Sequence, residues 1–353
     1  MNPLRRFATV ALVALLLASL ALPNAHATSI TIDWVTVGDP GNAADTTGNP
    51  NPAGAVADSF QIMKFEFTNS QYTNFLNAVD PNGTNSNAVY NANMGSNARG
   101  GISFTSGASS GSKYAAKTNM GDKPVNFVSW FDAARVANWL QNGQGPGSTE
   151  TGAYTLVGGQ TSGTAPAANP GASYFLPTED QWYKAAYYKG GGTNAGYWDY
   201  ATQSDTAPTE VTAGSTGIGS AGDTGNFANF NSAADWNSQD GNVTTVGTNG
   251  GASAYGTFDM SGNVYEWNDL TGAAGSSRGL RGGNWINDAF YLSSANRFTF
   301  APSSENFLIG LRLASPVPVP EPSTWVMAAG GLACAGWGAW RRRRLRQAPT
   351  LAA

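Results

Sequence analysis

Long segments without periodic apolar residues limit what this chain can fold into more than any other feature of its sequence. Residues 80–118, 143–173 and 202–226 are rich in Gly, Ser, Thr and Asn, and they show neither a helical nor a strand-like repeat of apolar residues. Short segments dense in aromatic residues lie between them. We therefore expect a single domain of the α/β (α+β) class, in which helices and strands are few and short and irregular structure is extensive.

The amino-terminal segment is typical of a secretory signal peptide. Arg5 and Arg6 precede an apolar run over residues 7–22, and Ala25-His26-Ala27 supplies small residues for cleavage. We expect signal peptidase to remove residues 1–27. The alternative is an uncleaved anchor, which would also direct export.

The carboxy-terminal segment, residues 316–346, has three parts. Pro320-Glu321-Pro322 precedes an apolar stretch over 324–340, which ends at four consecutive arginines. This order resembles the PEP-CTERM sorting signal of Gram-negative bacteria, and the resemblance implies a transmembrane helix, transient anchoring in the inner membrane and processing by an exosortase. We expect the mature protein at the cell surface, in the outer membrane or in an extracellular matrix. An ordinary single-span anchor is the alternative.

The body between these segments is acidic and lacks the usual ligands of several metals. It carries 12 basic and 22 acidic residues, a net charge of −10, so we expect no nucleic-acid partner. His26 and Cys334, the one histidine and the one cysteine, lie in the terminal segments. Zinc, copper and non-haem iron sites are built mostly from imidazole and thiolate, so we expect none of these metals and no disulfide in the mature protein.

Capping patterns predict three helices in the body. Thr68 or Asn69 precedes an apolar stripe with helical spacing. Ser129 and Asp132 form a capping-box pattern before a second stripe, and Thr178 begins a third helix with Gln three residues further on.

Five segments of the body, in order, resemble the formylglycine-generating enzyme or sulfatase-modifying factor family. The resemblance implies one C-type-lectin-like domain over residues 28–315. The five segments are Phe60–Asn69, Lys123–Trp130, Phe175–Glu179, Asp259–Trp267 and Arg281–Trp285.

The resemblance also implies two structural calcium sites, and calcium is a cation that needs neither His nor Cys. The first site matches the side chains of Asn229 and Asp240 with the backbone oxygens of Phe230 and Asn242. The second matches the side chains of Asp259 and Glu266 with the carbonyls of Gly262 and Val264.

A role without calcium is also consistent with the second set. In that case Asp259 caps a turn and Glu266 pairs with an arginine such as Arg281 or Arg297.

The catalytic implication of the resemblance does not carry over. Active oxidases of the family bind copper through two cysteines, and Asn287 and Leu292 stand at the matching positions. An amide and an alkyl group do not replace thiolates on Cu(I), which selects sulfur. Iron-dependent relatives use histidine ligands, which the body lacks.

We therefore expect a non-catalytic binding or structural role. The alternative is an oxidoreductase of the family or an enzyme that uses carboxylates such as Glu179, Asp288 or Glu305.

The segment 284–300 is the predicted binding surface, because it occupies the region of the family's active site. Aromatic and amide groups side by side suit a carbohydrate, although a protein ligand is also consistent with them. For Trp285 and Arg297 the alternative is a structural role as core residues that stabilise the fold. The candidate residues are Trp285, Asn287, Asp288, Phe290, Tyr291 and Arg297.

Overall fold

The computed structural model describes residues 29–317. The signal peptide at 1–27, the Pro320-Glu321-Pro322 motif and the apolar stretch at 324–340 therefore lie outside the described residues. Within the described range, no helix is both long enough and apolar enough to cross a membrane.

The helices are short, as expected, and three of them begin at the predicted caps. Thr68, Ser129 and Thr178 each accept a hydrogen bond from the backbone N–H three residues on, and the side chain at that position bonds back to the cap. The reciprocal capping box therefore fixes where each helix starts. The helices are α1 (Asn69–Val79), α2 (Asn93–Ser96), α3 (Trp130–Gln141) and α4 (Glu179–Tyr187).

The strands are two to four residues long. They form a three-stranded sheet in the order β1-β2-β11, a four-stranded sheet in the order β10-β7-β8-β9, and two pairs, β3-β4 and β5-β6. The strands are β1 (Trp34–Val37), β2 (Phe60–Met63), β3 (Ile102–Phe104), β4 (Tyr114–Ala116), β5 (Thr209–Glu210), β6 (Phe227–Ala228), β7 (Tyr265–Asn268), β8 (Arg278–Arg281), β9 (Phe298–Phe300), β10 (Ile309–Gly310) and β11 (Ala314–Pro316).

The central strand β2 joins the beginning and the end of the described chain. It pairs antiparallel with β1 on one side and with β11 on the other, where Ala314 lies opposite Ile62. Phe175 also exchanges backbone hydrogen bonds with Ala314. The last strand is therefore an integral part of the sheet.

The core is built around α3, which is buried from Trp130 to Leu140. A helix that is buried on all sides has no solvent face. This explains why apolar residues and alanines occur around most of the circumference of α3. Trp267 on β7 is also fully buried, and its indole N–H donates to the carbonyl of Val128 at 3.0 Å. This hydrogen bond connects the four-stranded sheet to the segment that precedes α3.

The cap of α3 predicts a pH dependence of stability. Burial raises the pKa of Asp132 to about 7, and the negative charge of Glu305 adds to the shift. The same carboxyl titrates near pH ~4 in the unfolded chain, so this group's contribution to stability is complete below that pH and is lost as the pH rises through about 7. We expect the melting temperature of Asp132→Asn to fall less between pH ~4 and ~7.5 than that of the parent. Parallel pH curves for the two proteins would contradict this, and the exposed Asp58→Asn is the control.

Candidate functional site

A buried ion pair lies beneath the candidate site. Arg312, two residues after β10, is fully buried and donates from Nε and Nη2 to Glu266 at 2.8–3.1 Å. Its remaining donors reach the carbonyls of Met63 at 2.8 Å and Phe258 at 2.6 Å. The guanidinium therefore connects β7, β2 and the turn before Asp259.

The second predicted calcium set does not fit this arrangement, because Glu266 has no oxygen left for a cation. Trp182 Nε1–H donates to Glu266 Oε2 at 2.7 Å, so each carboxylate oxygen accepts two hydrogen bonds. The partner of Glu266 is Arg312, whereas Arg281, one of the two arginines suggested by the sequence, pairs with Glu179.

Asp259 serves as the cap of a turn. It accepts hydrogen bonds from the backbone N–H of Gly247 at 2.5 Å and from the side-chain amide of Asn249 at 2.8 Å. This is the structural role that the sequence offered as the alternative to calcium. Hydrogen-bond donors therefore satisfy the carboxylate of Asp259 without a metal ion.

Sequence reasoning missed Glu66, a third carboxylate near this pair. Glu66 is fully buried and accepts from the Asn263 amide at 2.7 Å. Burial and the negative charges of Asp259 and Glu266 raise its pKa well above the usual range. The available signal was the position of Glu66 between two aromatic residues, Phe65 and Phe67. A charged residue is rarely buried unless it is paired, so this position indicated a buried carboxylate with a partner.

The first predicted calcium set retains one free oxygen. Asn229 is fully buried, and its amide nitrogen donates to the carbonyl of Asn242 at 2.9 Å. Its Oδ1 has no hydrogen-bond partner among residues 29–317, as expected for an oxygen that a cation would occupy. Asp240 is exposed, and its backbone oxygen accepts from Arg99 at 2.8 Å. In this respect the first set differs from the second, whose carboxylates on Asp259 and Glu266 already accept hydrogen bonds.

A glycine allows the close packing behind Asn229. Gly262 has a φ of +93°, and a Cβ at this position would lie 2.4 Å from the backbone oxygen of Asn229. A larger residue would therefore separate the turn from Asn229, which directly follows β6. In the described range, no group of three or more His, Cys, Asp or Glu side chains is placed to hold a metal ion.

The two positions that would carry cysteines have separate roles. Leu292 is fully buried and packs with Ala228 and Phe230, so it belongs to the core. Asn287 is half-buried, and its Oδ1 has no partner within residues 29–317. The structure thus places an amide near the surface and an alkyl group in the interior.

Four aromatic rings form a row beside Asn287. The centroids of Phe290 and Tyr291 are 5.6 Å apart, Tyr291 stacks on Phe298 at 5.8 Å and 17°, and Phe298 lies 6.3 Å from Phe300. Phe290 is 58% exposed and Phe300 is 40% exposed. We call these four residues the aromatic row.

The carboxylate of Asp288 positions one end of the row. It accepts from the backbone N–H of Phe290 at 3.0 Å and so caps the 3-10 helix Ala289–Leu292. At the other end, Phe298 and Phe300 alternate with Thr299 on the edge strand β9. Sequence reasoning missed these two rings, although their period of two was a readable signal.

Two candidate residues differ in their surroundings. Trp285 is buried, Arg99 lies 4.6 Å above its ring, and Phe307 packs beside it. Trp285 is therefore a core residue and does not belong to the binding surface. Arg297 is half-buried, and no residue within 29–317 forms an ion pair or side-chain hydrogen bond with it. Unlike Trp285, it is therefore not fully enclosed by the core.

The family model described as "Sulfatase-modifying factor enzyme 1-like domain" matches residues 26–317. The chain belongs to this family. A second model, the PEP-CTERM protein-sorting motif, matches residues 318–344 and marks this sulfatase-modifying factor-like protein for export to the surface or the extracellular space. The matches confirm the family, the mixed fold with much irregular structure and the sorting signal.

Three solved structures are similar to this sulfatase-modifying factor-like chain. Treponema denticola variable protein 1 is 19% identical, over 82% of this chain and 97% of that one, with a TM-score of 0.47. CarF is 22% identical, over 82% and 99%, with a TM-score of 0.48. PvdO from Pseudomonas aeruginosa is 19% identical, over 82% and 93%, with a TM-score of 0.40. A comparison with curated proteins found no match.

The buried ion pair of this family member yields a stability prediction. Arg312→Met leaves Glu266 beside Asp259 and Glu66 with no compensating charge, so we expect a loss of about 3–5 kcal/mol in the free energy of unfolding. Adding Glu266→Gln removes the unpaired charge and keeps an acceptor for Trp182, so the double variant is expected to regain most of the loss. Denaturant unfolding at neutral pH measures both. A double variant no more stable than Arg312→Met would show that charge pairing is not the cause.

Proposed function

We propose that the exported domain is a non-catalytic, carbohydrate-binding protein of the cell surface or of an extracellular polymer matrix. The aromatic row carries the proposal, because two of its rings, Phe290 and Phe300, are exposed and Arg297 directly precedes Phe298. The sorting motif supports the surface location and processing by an exosortase.

The chemistry of the row suits sugars. Phe290 and Phe300 are exposed aromatic residues on the same surface, and exposed apolar patches on exported proteins mark interaction sites. Aromatic rings stack on the C–H faces of sugar rings, and this contact needs no buried charge. Arg297 supplies hydrogen-bond donors for the hydroxyl groups. The row therefore supplies contact area and the guanidinium supplies orientation.

The three carboxylates named for an enzymatic alternative have structural partners. Glu179 pairs with Arg281, Asp288 caps the 3-10 helix, and Glu305 accepts from the side chain of Asn91. These contacts give each of the three carboxylates a structural role. Oxidation of a cysteine peptide by the purified domain would contradict the non-catalytic role.

Binding of a polysaccharide array tests the aromatic row. We expect the parent to bind at least one neutral polymer, and Phe290→Ala or Tyr291→Ala to lower the affinity about tenfold through lost ring stacking. Val157→Ala is the control, because Val157 is 76% exposed and lies outside the row. Equal effects of Phe290→Ala and Val157→Ala would contradict the proposal, as would a parent that binds no polymer.

We also propose that a calcium ion stabilises the domain at the Asn229 set. Asn229 Oδ1, the carbonyl oxygens of Phe230 and Asn242 and the carboxylate of Asp240 supply the hard oxygen ligands that calcium prefers. The unpartnered Oδ1 of Asn229 supports this choice. Calcium there would compensate part of the acidic charge of the body.

Thermal unfolding with chelator and with millimolar calcium tests this site. A ligand that binds only the folded state raises stability, so we expect a higher melting temperature with calcium, by about 2–4 °C per kcal/mol. Asp240→Ala is expected to lose this response, whereas Asp223→Ala, also exposed, keeps it. If the parent melts at the same temperature with chelator and with calcium, calcium does not stabilise the domain.

A further inference from the structure

A polar cleft opens between the loop at 43–47 and the segment 187–198. Its volume is about 380 Å³, within the range of about 300–1,000 Å³ for small-ligand sites. We propose that this cleft is a second saccharide subsite, which takes one neutral hexose unit. The inference that one polymer contacts both the cleft and the aromatic row rests on the proposed function, whereas hexose binding at the cleft does not. The residues that define the polar cleft are Asp45, Thr46, Lys189, Asn194 and Tyr197.

The walls of the polar cleft are fixed by hydrogen bonds. Asp45 accepts from the backbone and hydroxyl of Thr47 at 2.8 and 2.7 Å, and from the Tyr183 hydroxyl at 2.6 Å. The hydroxyl of Tyr197 donates towards the carbonyls of Ala43 and Gly54, each at 2.9 Å. A ligand would meet a preformed site, which lowers the entropic cost of binding.

A glycine lets the loop approach the tyrosines so closely. Gly54 has a φ of +81°, and a Cβ there would lie 2.7 Å from Tyr183 and 2.8 Å from Tyr197. The loop is also joined to the opposite wall, since the N–H of Ala43 donates to the carbonyl of Thr193 at 2.8 Å. The two walls therefore form one rigid unit.

Three polar groups on the walls are available for a ligand. The side-chain amide of Asn194 and the hydroxyl of Thr46 have no hydrogen-bond partner in the described part of the chain. The ammonium of Lys189 lies 4.1 Å above the Trp198 ring and 3.8 Å from Asp205. This exposed ion pair is weak, so the ammonium keeps donors for a sugar oxygen. Amide, hydroxyl and ammonium together match the donors and acceptors of a hexose.

The local charge favours a neutral ligand. Burial raises the pKa of Asp45, but hydrogen bonds from Thr47 and Tyr183 outweigh it and bring the pKa below its usual value. Asp45 therefore remains charged. Burial raises the pKa of Asp199, and the negative charges of Asp205 and Asp45 add to the shift. They would repel an acidic sugar.

The polar cleft and the aromatic row share a backbone connection. The N–H of Asn49 donates to the carbonyl of Ser294 at 3.3 Å, and the N–H of Ser294 donates to the carbonyl of Asp199 at 2.8 Å. Asn49 and Asp199, which follow the two wall segments in the sequence, thus both contact Ser294, two residues after the 3-10 helix carrying Phe290 and Tyr291. One polymer chain can contact both sites, and two linked contacts raise the affinity above that of either alone.

Titration with glucose, galactose and N-acetylglucosamine, followed by NMR, tests the cleft without the polymer. We expect the side-chain amide resonance of Asn194 to shift with at least one of these hexoses, and Lys189→Met to lower the affinity about tenfold. Lys64→Met is the matched control, because Lys64 also lies over an aromatic ring, 5.1 Å from Phe65, but outside the cleft. Absence of any shift, equal effects of the two lysine variants, or tighter binding of glucuronate than of glucose would overturn the proposal.

The aromatic-row variant separates this inference from the proposed function. Phe290→Ala is expected to leave hexose binding at the cleft unchanged while it weakens polymer binding. If the cleft binds hexoses but polymer binding does not depend on Phe290, the proposed function fails and the subsite stands. If polymer binding depends on Phe290 but no hexose shifts Asn194, the subsite fails and the proposed function stands.

Discussion

The ion pair between Glu266 and Arg312 is the constraint on which the rest of the structure depends. A buried guanidinium and a buried carboxylate are costly to desolvate, and they are tolerated only when every donor and acceptor is used. Here the indole of Trp182 from α4 and the carbonyls of Met63 and Phe258 complete the network. The pair therefore fixes the relative positions of α4, β2 and β7. In a body with short strands and long loops, such polar contacts replace much of the order that long sheets supply elsewhere.

The helices could be predicted from the sequence because their signals are local. A cap and its partner lie three residues apart, so Thr68, Ser129 and Thr178 were recognisable before any tertiary contact was known. The partner of Glu266 was not predictable in the same way. Arg312 lies 46 positions away, and its approach depends on how β10 pairs with β7. Several arginines had equal standing in the sequence, and only the packing selects among them.

The candidate site shows the same division. The segment with Phe290 and Tyr291 was identified from its composition, whereas Trp285 was left with two roles, binding or core, because an aromatic residue next to glycines has the same pattern in a core and on a surface; only its burial decides for the core. The polar cleft escaped prediction altogether. Its walls come from two segments that lie far apart in the sequence, and none of their residues belongs to a recognisable motif.

The position of β11 couples folding to the completeness of the chain. Arg312, β11 and Pro320-Glu321-Pro322 follow one another closely in the sequence, so the centre of the ionic network, the strand that completes the first sheet and the sorting motif lie in one short segment. A polypeptide that terminates early lacks all three. It exposes the edge of β2 and an unpaired Glu266, which makes it a substrate for proteases of quality control. A product that ends before Arg312 therefore lacks both a complete fold and the sorting motif.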